Sequence, residues 1–462
     1  MKYRYGKVTQ HWLLRGGCAV AVAGLALATV VPVYASPPLS ATTRVSVGLN
    51  GAQPDGWSVP LGITGSGRYA LFASAATNLV PSDTNGQPDV FVRDLWSGHT
   101  ERVSVADDDA ELAGSTVEAA ISGSGRYVAF STDAPDVVPE RPTNGAKNIY
   151  VRDLRSGHTA LITAGHLNEG EKYRNSYSPS LSWDGRYVAF SSNRTDLAPG
   201  GKPWTWNVLV TDRLTGVTRM VTTGADGSSA NRSSGTPTIS ADGSTIGFSS
   251  AATNLLPSDL RTGKPDGTPL HEHAVPRYDP YYAYDVPTGR IQGASVDAAG
   301  ALRRMGEFGG SLSPDGRAVA FALPEPGGPP NGSGTHLELY VRELSQATVA
   351  QASTGLPGTT TVGSSHQGSL TFDGHWVAFT SDADNLVRDD TGHGRGVFRH
   401  DVRTGRTERV SVASDGTPTT GKSGHPFVNA VGTAVLFESE DGTLVPGDNN
   451  GFPDVFVRRL PR

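Results

Sequence analysis

Seven side chains that could bind or polarise a ligand interrupt a sequence that otherwise repeats along the chain. They carry imidazole, carboxylate, amide, phenol or indole groups: Trp57, Glu118, Tyr177, Glu307, His366, Gln367 and His425. Other copies of the repeat have Gly, Pro, Ser or Thr at these places. Residues that recur in every copy build the fold, so we predict that these seven departures line a polar pocket with stacking surfaces. A solvated loop position without a role is the alternative for each of them.

Glu307 also breaks a second series. Five positions before an apolar residue of the repeat, the other copies have a hydroxyl: Ser58, Thr116, Ser176, Ser234, Ser365 and Ser423. We predict that this recurring hydroxyl hydrogen-bonds a loop to the backbone and is structural. Glu307 has a carboxylate in place of this hydroxyl, and we expect it to face the pocket.

Two motifs contain residue types that ligate metals. His271-x-His273 with Asp279 could bind a transition metal, since imidazole and carboxylate suit such ions, although the spacing is loose. The segment Asp83–Asp89, echoed by Asp448–Asp454, starts as Asp-x-Asn-Gly, like a calcium loop. It is shorter than an EF-hand loop and lacks the bidentate acid, so a simple Asx turn is the alternative. We expect no obligatory cofactor, with calcium or a transition metal as open possibilities.

Aromatic residues cluster in the long loops of the middle of the chain. Tyrosines follow His273, and Trp204 and Trp206 lie in the preceding repeat. They predict either a contact patch for a glycan or a protein, or packing of the loops against the rim.

The elements that must position these residues are short β-strands. A Gly turn returns at Gly67, Gly125, Gly185, Gly243, Gly316, Gly374 and Gly432, at intervals of about 58 residues with one of about 73. Around each turn are four apolar, β-branched or aromatic runs, and no stretch has a sustained helical period. A single repeat of this size cannot bury both faces of its sheet and needs neighbouring repeats to cover them. We predict an all-β fold, a seven-bladed β-propeller of four-stranded antiparallel blades.

The chain ends predict how the ring closes. The last repeat stops at Leu460 without an outer strand, and residues 42–47 match the outer strand of 407–412. We therefore expect the N-terminal strand to complete the last blade and remove the exposed sheet edges. The predicted domain is 36–462, with blades at approximately 59–106, 117–164, 177–223, 235–297, 308–354, 366–413, and 424–462 plus 42–47.

Loop lengths predict which end of the propeller is functional. The inner-to-second and third-to-outer connections are tight, and they share what we call the tight-turn face. The second-to-third and blade-to-blade connections are long and open on the opposite, long-loop face. Binding residues concentrate on long loops held by a rigid scaffold, so we expect the site at the long-loop mouth of the central channel.

The N-terminus predicts export. Basic residues precede an apolar run from Cys18 to Val33, which ends in the small-residue pattern Val33-Tyr34-Ala35. This is typical of a secretory signal peptide over residues 1–35. Its removal leaves 35 basic and 45 acidic residues and changes the net charge from −6 to −10. So acidic a chain argues against nucleic acid as partner, and no later stretch could span a membrane.

The repeat resembles that of the TolB-like, WD40-like (PD40) β-propeller family. The resemblance is carried by the segments Leu312–Phe321, reading Leu-Ser-Pro-Asp-Gly-Arg-Ala-Val-Ala-Phe, and Leu181–Phe190. It covers essentially the whole mature chain and implies the propeller fold. It implies little about function, because the family includes periplasmic adaptors, peptidase-associated propellers and lyases.

Two functions follow as hypotheses. The first is an exported, monomeric, non-catalytic scaffold that binds a protein or a cell-envelope glycan on its long-loop face, in the periplasm, at the cell surface or outside the cell. The alternative, suggested by the resemblance, is a metal-assisted polysaccharide lyase with His366, Gln367, His425 and Glu307 as its polar set. The sequence has no Gly-x-Ser-x-Gly elbow, P-loop or His-Glu-x-x-His motif, so the corresponding enzyme classes are unsupported.

Overall fold

A computed structural model describes most of the chain from Ser40 onward. The described residues are 40–138, 145–165, 174–257, 279–306, 309–324, 336–346, 348–388, 390, 392, 394–420 and 422–461. They belong to one compact unit, Ser36–Arg462. The predicted signal peptide lies outside the described residues.

The described residues form seven four-stranded antiparallel sheets, each of which is a blade. In blades 1 to 6 all consecutive strands are adjacent. Blades 1 to 3 consist of β2 (Ser58–Ile63), β3 (Tyr69–Ser74), β4 (Asp89–Asp94), β5 (Thr100–Arg102); β6 (Glu118–Ile121), β7 (Tyr127–Thr132), β8 (Asn148–Asp153), β9 (His158–Leu161); and β10 (Ser176–Leu181), β11 (Tyr187–Ser192), β12 (Asn207–Asp212), β13 (Val217–Met220). Blades 4 and 5 consist of β14 (Ser234–Ile239), β15 (Thr245–Ser250), β16 (Tyr281–Asp285), β17 (Arg290–Gly293); and β18 (Ser311–Leu312), β19 (Ala318–Pro324), β20 (Leu337–Glu343), β21 (Val349–Gln351). Blades 6 and 7 consist of β22 (Ser365–Leu370), β23 (Trp376–Ser381), β24 (Gly396–Asp401), β25 (Thr407–Arg409); and β26 (Ser423–Val428), β27 (Ala434–Ser439), β28 (Asp454–Arg459) with β1 (Thr42–Arg44). The predicted all-β, seven-bladed propeller is confirmed.

The first strand of the described chain closes the ring. β1 pairs antiparallel with β28, with Thr43 opposite Val457, and supplies the outer strand of blade 7. Just beyond β1, Val45 is fully buried and the Ser46 hydroxyl donates to the Asp454 carboxylate over 2.6 Å. The prediction of closure by the N-terminal strand is therefore confirmed.

The blades are held together by apolar middle strands. The second strand of each blade is almost fully buried, as in β7, where every residue after Tyr127 is buried. In six blades an aromatic ring of the second strand stacks on one of the third strand, as Phe72 does on Phe91 at 5.7 Å and Phe379 on Phe398 at 5.8 Å. Buried aromatic pairs of this kind contribute about 0.5–1.5 kcal/mol each beyond their area.

The tight-turn face ends in a closed ring of backbone hydrogen bonds. Each inner-to-second turn donates an N–H to the carbonyl of the next blade: Gly65 to Gly123 (3.2 Å), Ser124 to Trp183 (3.0 Å), Trp183 to Ala241 (2.9 Å), Ala241 to Pro314 (2.6 Å), Asp315 to Phe372 (3.0 Å), Phe372 to Ala430 (3.0 Å) and Ala430 to Gly65 (3.2 Å). Because these are backbone groups, the ring depends on the repeat geometry and not on the side chains. All seven blades are thereby fixed at this end.

Helical structure is minimal. In the described part of the chain the one helix is a 3-10 turn, Leu49–Gly51. Accordingly, those residues include no helix that is long and apolar enough to cross a bilayer.

Candidate functional site

The described candidate residues lie mainly in the inner strands, near the end of each strand that faces the long loops. His366 and Gln367 are in β22, His425 is in β26, Tyr177 is in β10, and Glu118 begins β6. The expectation that they sit on loops is therefore wrong for these five. The physical reason is that each inner strand begins earlier than the apolar pattern suggests, because its first residues pair with the second strand of the same blade, as Tyr177 does with Ser191 and His366 with Thr380.

A β-bulge explains why these residues depart from regular strand spacing. In blades 3, 4, 6 and 7 the pairing register shifts within the inner strand, so that two residues face one on the second strand. The first bulge residue has a positive φ in each case: Ser178 (52°), Thr236 (49°), Gln367 (57°) and His425 (50°). Since Ser178 and Thr236 share this conformation, it belongs to the repeat, and the site uses a position that the fold already provides.

His366, Gln367 and His425 come together where blades 6 and 7 meet. The Gln367 side-chain oxygen accepts hydrogen bonds from the His425 backbone N–H at 3.2 Å and from the Thr380 hydroxyl at 2.8 Å. The His425 Nδ1 atom lies 2.6 Å from the Glu438 carboxylate. We call His366, Gln367, His425, Glu438 and Arg395 the blade 6–7 cluster.

The electrostatics of the blade 6–7 cluster keep one imidazole neutral. Burial, together with the nearby Arg395 guanidinium, lowers the pKa of His366 to about 4. Half of the His425 side chain is exposed, whereas Glu438 is 12% exposed. The cluster therefore offers a neutral imidazole, an exposed imidazole and an amide within one small area at the channel mouth.

A second, more aromatic group lies between blades 2 and 3. The Tyr177 ring is 5.4 Å from the ring of Trp206, and the Lys147 ammonium lies 5.6 Å from the Tyr177 ring centre. The Glu118 carboxylate accepts a hydrogen bond from the Ser178 N–H at 3.0 Å, and burial with Glu118 raises the pKa of Tyr177. By ring order this blade 2–3 cluster stands across the channel from the blade 6–7 cluster.

Two predicted site residues remain, Trp57 and Glu307. Trp57 precedes β2, is half-buried, and uses its backbone carbonyl to accept bonds from Ala75 and Ser74. Glu307 lies outside the described residues, so its placement at the mouth stays a prediction.

The recurring hydroxyl of the inner strand is structural, but its partner differs from the prediction. In five blades it pairs with a serine hydroxyl of the second strand and not with the backbone: Ser58 with Ser74 (2.9 Å), Ser176 with Ser192 (2.9 Å), Ser234 with Ser250 (2.7 Å), Ser365 with Ser381 (2.8 Å) and Ser423 with Ser439 (2.9 Å). The Thr116 hydroxyl of blade 2 is buried and has no hydrogen-bond partner among the described residues. The second serine then accepts a backbone N–H two residues later, as Ser74 does from Ala76. The second-strand serine also donates to the carbonyl of the residue that precedes the inner strand, as Ser74 does to Trp57 (2.9 Å) and Ser192 to Asn175 (3.0 Å).

The loop that resembles a calcium loop contains a cation of its own. Among the described residues, Asp83, Asp89 and Glu111 are the one set of three acidic or imidazole groups whose ligand atoms lie within 4.8 Å of one another. The Arg102 guanidinium lies 3.5 Å from Asp83 and 3.3 Å from Asp89, and it also pairs with Glu111. A calcium ion would have to compete with Arg102, and calcium binding stays a prediction.

The pKa values of this loop reflect one cation shared by three carboxylates. Burial and the adjacent Asp89 raise the pKa of Asp83 to about 6. Burial opposes ionisation of Glu111 too, but hydrogen bonds from Thr84 and Arg102 lower its pKa to about 2. Blade 7 repeats the arrangement, since Arg44 lies 3.3 Å from Asp448 and 3.1 Å from Asp454.

Most of the predicted blade 4 metal motif cannot be placed. His271 and His273 lie outside the described residues, as do the tyrosine-rich residues up to Tyr278. Asp279 is buried and pairs with Arg304 at 3.4 Å. Of the two tryptophans predicted as a patch, Trp206 is 7% exposed and packs on Tyr177, while Trp204 is 58% exposed.

The sequence prediction missed three members of the clusters, although the repeat contains signals for them. Glu438 takes a place in the second strand that other blades fill with Ala, Ser or Thr, as Ser191 and Thr380 show by their register. Lys147 and Arg395 both immediately precede a third strand. All three lie outside the inner strand, so the departures that the inner strand shows from the repeat do not include them.

Comparison with solved structures supports the fold. The chain is similar to an oligogalacturonate lyase in complex with manganese, at 14% identity and a TM-score of 0.52, covering 91% of this chain and 93% of that one. Looser similarity is found to TolB from Acinetobacter baumannii (13% identity, TM-score 0.37, covering 86% and 80%). An acylaminoacyl peptidase in complex with Z-Gly-Gly-Phe-chloromethyl ketone aligns at 12% identity and a TM-score of 0.49, covering 87% of this chain and 51% of that one.

No protein-family model matches the chain, and no curated protein matches it. At identities below 15%, a shared propeller does not transfer a substrate or a reaction. The comparisons therefore identify the chain as similar to other β-propellers in fold, and its function has to be argued from its own residues.

Proposed function

We propose that this protein is an exported, non-catalytic binding scaffold whose ligand docks at the long-loop mouth of the channel. The observation that carries the proposal is the blade 6–7 cluster, in which His366, Gln367 and His425 from adjacent blades lie together at the mouth. Export rests on the signal-peptide pattern of residues 1–35.

The chemistry of the mouth suits a ligand rich in hydroxyl or amide groups. His425 and Gln367 can exchange hydrogen bonds with such groups, and a neutral His366 can donate or accept without the cost of burying a charge. Across the channel, Tyr177 provides partly exposed aromatic surface, supported from behind by the buried Trp206. A cell-envelope glycan and a protein segment both have such groups, so these are the two classes of ligand to be tested for binding.

Metal-assisted lyase chemistry is the alternative, and the described residues do not fit a metal well. The Gln367 oxygen is already engaged by His425 and Thr380, and His425 Nδ1 is engaged by Glu438. A metal site needs at least three donor atoms about 2.0–2.3 Å from one ion. Among the described residues the mouth does not provide three acidic or imidazole ligand atoms within 4.8 Å of one another, so we assign no catalytic step to it.

The proposal is tested by capture and glycan-array binding with mature protein. We expect the double substitution His366→Ala/His425→Ala to weaken binding at least tenfold while the protein remains folded. The matched control is His99→Ala/His158→Ala, two histidines in third-to-outer turns of the tight-turn face. Because His366 is half-buried, the single variant His425→Ala, at an exposed position, separates a binding defect from a folding defect.

Two results would overturn the proposal. Loss of binding in the His99/His158 control, with the mouth variants unaffected, would place function on the opposite face. Turnover of a polysaccharide that depends on added manganese, and that is lost in the mouth variants, would replace the scaffold by the lyase.

A further inference from the structure

The tight-turn face has a cleft that the proposed function does not use. The cleft has a volume of about 880 Å³ and is lined by turns of blades 3, 6 and 7. Its apolar lining includes Trp183, Phe372 and Val431, which remain 36%, 39% and 47% exposed. Neighbouring apolar side chains that stay exposed in this way mark a contact surface for a partner.

Trp183 and Phe372 make the apolar part of the cleft rigid. They come from blades on opposite sides of the ring, yet their rings meet edge to face at 5.8 Å. The Trp183 benzo ring also packs directly on Gly65 and Gly123, because a Cβ at either position would lie 2.1–2.2 Å from it. A partner therefore meets a surface that is already formed in the free protein.

The polar lining of the cleft does not select a charged ligand. The Asp373 carboxylate accepts a hydrogen bond from the His375 backbone N–H at 3.1 Å, and the Asp401 carboxylate accepts one from the His375 ring at 2.7 Å. Arg406 pairs with Glu408 at 3.1 Å. Because these charges are engaged within the chain, the occupant that suits the cleft is a neutral apolar side chain.

The same face has an apolar side chain that fits this description. Leu214 lies in the turn between β12 and β13 of blade 3 and is 76% exposed, more than any other large apolar side chain of the described residues. In the ring of seven, blade 3 stands opposite the junction of blades 6 and 7, where the cleft lies. The tight-turn face therefore has an apolar knob on one side of the propeller axis and an apolar cleft on the other.

We propose that the tight-turn face is the interface of a homodimer, in which Leu214 of each protomer enters the cleft of the other. A single two-fold axis in the plane of the face forms both contacts at once, because knob and cleft belong to the same chain. Charge supports the same pairing. Asp184 is exposed on blade 3, the blade of the knob, and Arg403 is exposed at the cleft on blade 6, so the axis brings opposite charges together.

The face is wide enough for a stable dimer. A blade of four strands about 4.8 Å apart extends about 15 Å outward from the central channel. A ring of seven such blades has a face larger than the area of about 800 Å² per partner that a stable interface buries. The dimer differs from the monomer expected from the sequence, and it leaves both long-loop mouths free, so the inference is independent of the proposed function.

The first test is sedimentation equilibrium of the mature protein at micromolar concentrations. We expect a reversible dimer, and Leu214→Asp should raise its Kd at least tenfold, because a carboxylate has no partner in an apolar cleft. Val431→Asp should do the same from the other side of the contact and keep the fold, since blades 3 to 6 have Asp at this turn position. The control, Val362→Asp, changes an exposed valine just before β22, at the long-loop end, and should leave the Kd within twofold.

The second test is cross-linking, which reports how the two chains are arranged. The mature chain has no cysteine, because Cys18 lies in the predicted signal peptide. A mixture of the Leu214→Cys and Val431→Cys proteins should be joined by a short bismaleimide. The Leu214→Cys protein alone should not be joined, because the two-fold axis places the two knobs on opposite sides of the interface.

Three results would overturn the inference: a protein that stays monomeric at the highest concentration at which it is soluble, an equal rise in Kd for Val362→Asp and Leu214→Asp, or cross-linking of Leu214→Cys alone as efficient as that of the mixture. The first would exclude the dimer, the second would exclude the tight-turn face as its interface, and the third would exclude the insertion of Leu214 into the cleft.

Discussion

The two ends of the central channel are built by different means. At the tight-turn end every blade donates one backbone hydrogen bond to the next, in a ring of seven that returns from Ala430 to Gly65. At the long-loop end, blades are also joined by side chains that vary from blade to blade: Glu118 accepts from Ser178, Ser191 from Thr236, and Gln367 from His425.

The difference shows where this fold can vary without losing its closure. A ring of backbone bonds does not depend on the hydrogen-bonding groups of its side chains, whereas bonds made by side chains at the mouth change with each substitution. The tight-turn end closes the ring, so residues at the long-loop end can change to bind a ligand without opening it. The predictions below test the two ends in turn.

Removal of the closing strand should have the largest effect. Deleting Thr42–Val47 from the mature protein takes away β1, buried Val45 and the Ser46–Asp454 hydrogen bond, and it exposes the edge of β28. We expect a loss of about 4 kcal/mol or more in the free energy of unfolding, or an insoluble product. Thermal unfolding followed by circular dichroism checks this, and an unchanged melting temperature would contradict closure by β1.

Replacing Arg102 should come next. Arg102→Ala leaves Asp83, Asp89 and Glu111 without their shared cation, at an expected cost of about 3 kcal/mol. Millimolar calcium should restore part of this loss in the variant and leave the melting temperature of the wild type within about 1 °C. A wild type that calcium stabilises strongly would show that the ion displaces Arg102, as the calcium-loop interpretation requires.

The fold was largely predictable because its determinants are local and repeated. All seven marker glycines of the inner-to-second turns have positive φ, between 68° and 79°, which glycine adopts without steric cost. The closing strand was recognisable because residues 42–47 repeat the outer-strand pattern. Arg102 was not recognised as the cation of the acidic loop, since it lies on the outer strand β5 and the loop contacts it only because it folds back across the blade.

The tight-turn ring can be tested at one glycine. A Cβ on Gly65 would lie 2.1 Å from the Trp183 ring, so Gly65→Ala should destabilise the protein by about 1–3 kcal/mol. In a Trp183→Ala background the same change should cost under about 0.5 kcal/mol, because the clash is gone. Gly62→Ala, whose Cβ would meet Ile121 at an ordinary 3.4 Å, is the control in denaturant unfolding. Additive costs in the double variant would mean that Trp183 does not pack on Gly65.

Acidification should reveal the buried imidazole at the mouth. Burial lowers the pKa of His366 from its usual 6.5 to about 4. As the pH falls, His366 is therefore protonated in the unfolded chain before it is protonated in the folded protein. The contribution of His366 to the free energy of unfolding is fully present above pH 6.5 and is lost as the pH falls towards 4. The loss between pH 7 and 5 is about 2 kcal/mol. His366→Gln should flatten this part of the curve of unfolding free energy against pH. An unchanged slope in the variant would mean that His366 is accessible to protons in the folded protein.

The site was only partly predictable, because departures from a repeat identify residues but not their surroundings. His366, Gln367 and His425 were selected as departures from the repeat, and the structure brings them close together. Their place on strands depends on the bulge that shifts the pairing of β22 and β26. Trp183 breaks its own series of turn residues as clearly as His366 breaks the inner-strand series. Its contact with Phe372 follows only from the closed ring, which brings opposite blades together at the axis.

Histidine-selective NMR is the measurement that tests the central claim most directly, since the chain has only 12 histidines and the four that matter, His99, His158, His366 and His425, all lie in the described part of the chain. The partner recovered by capture or on the glycan array is titrated into the labelled mature protein. The account predicts that the imidazole resonances of His366 and His425 shift on binding while those of His99 and His158 do not. Shifts at His99 and His158, with both mouth histidines unchanged, would contradict it.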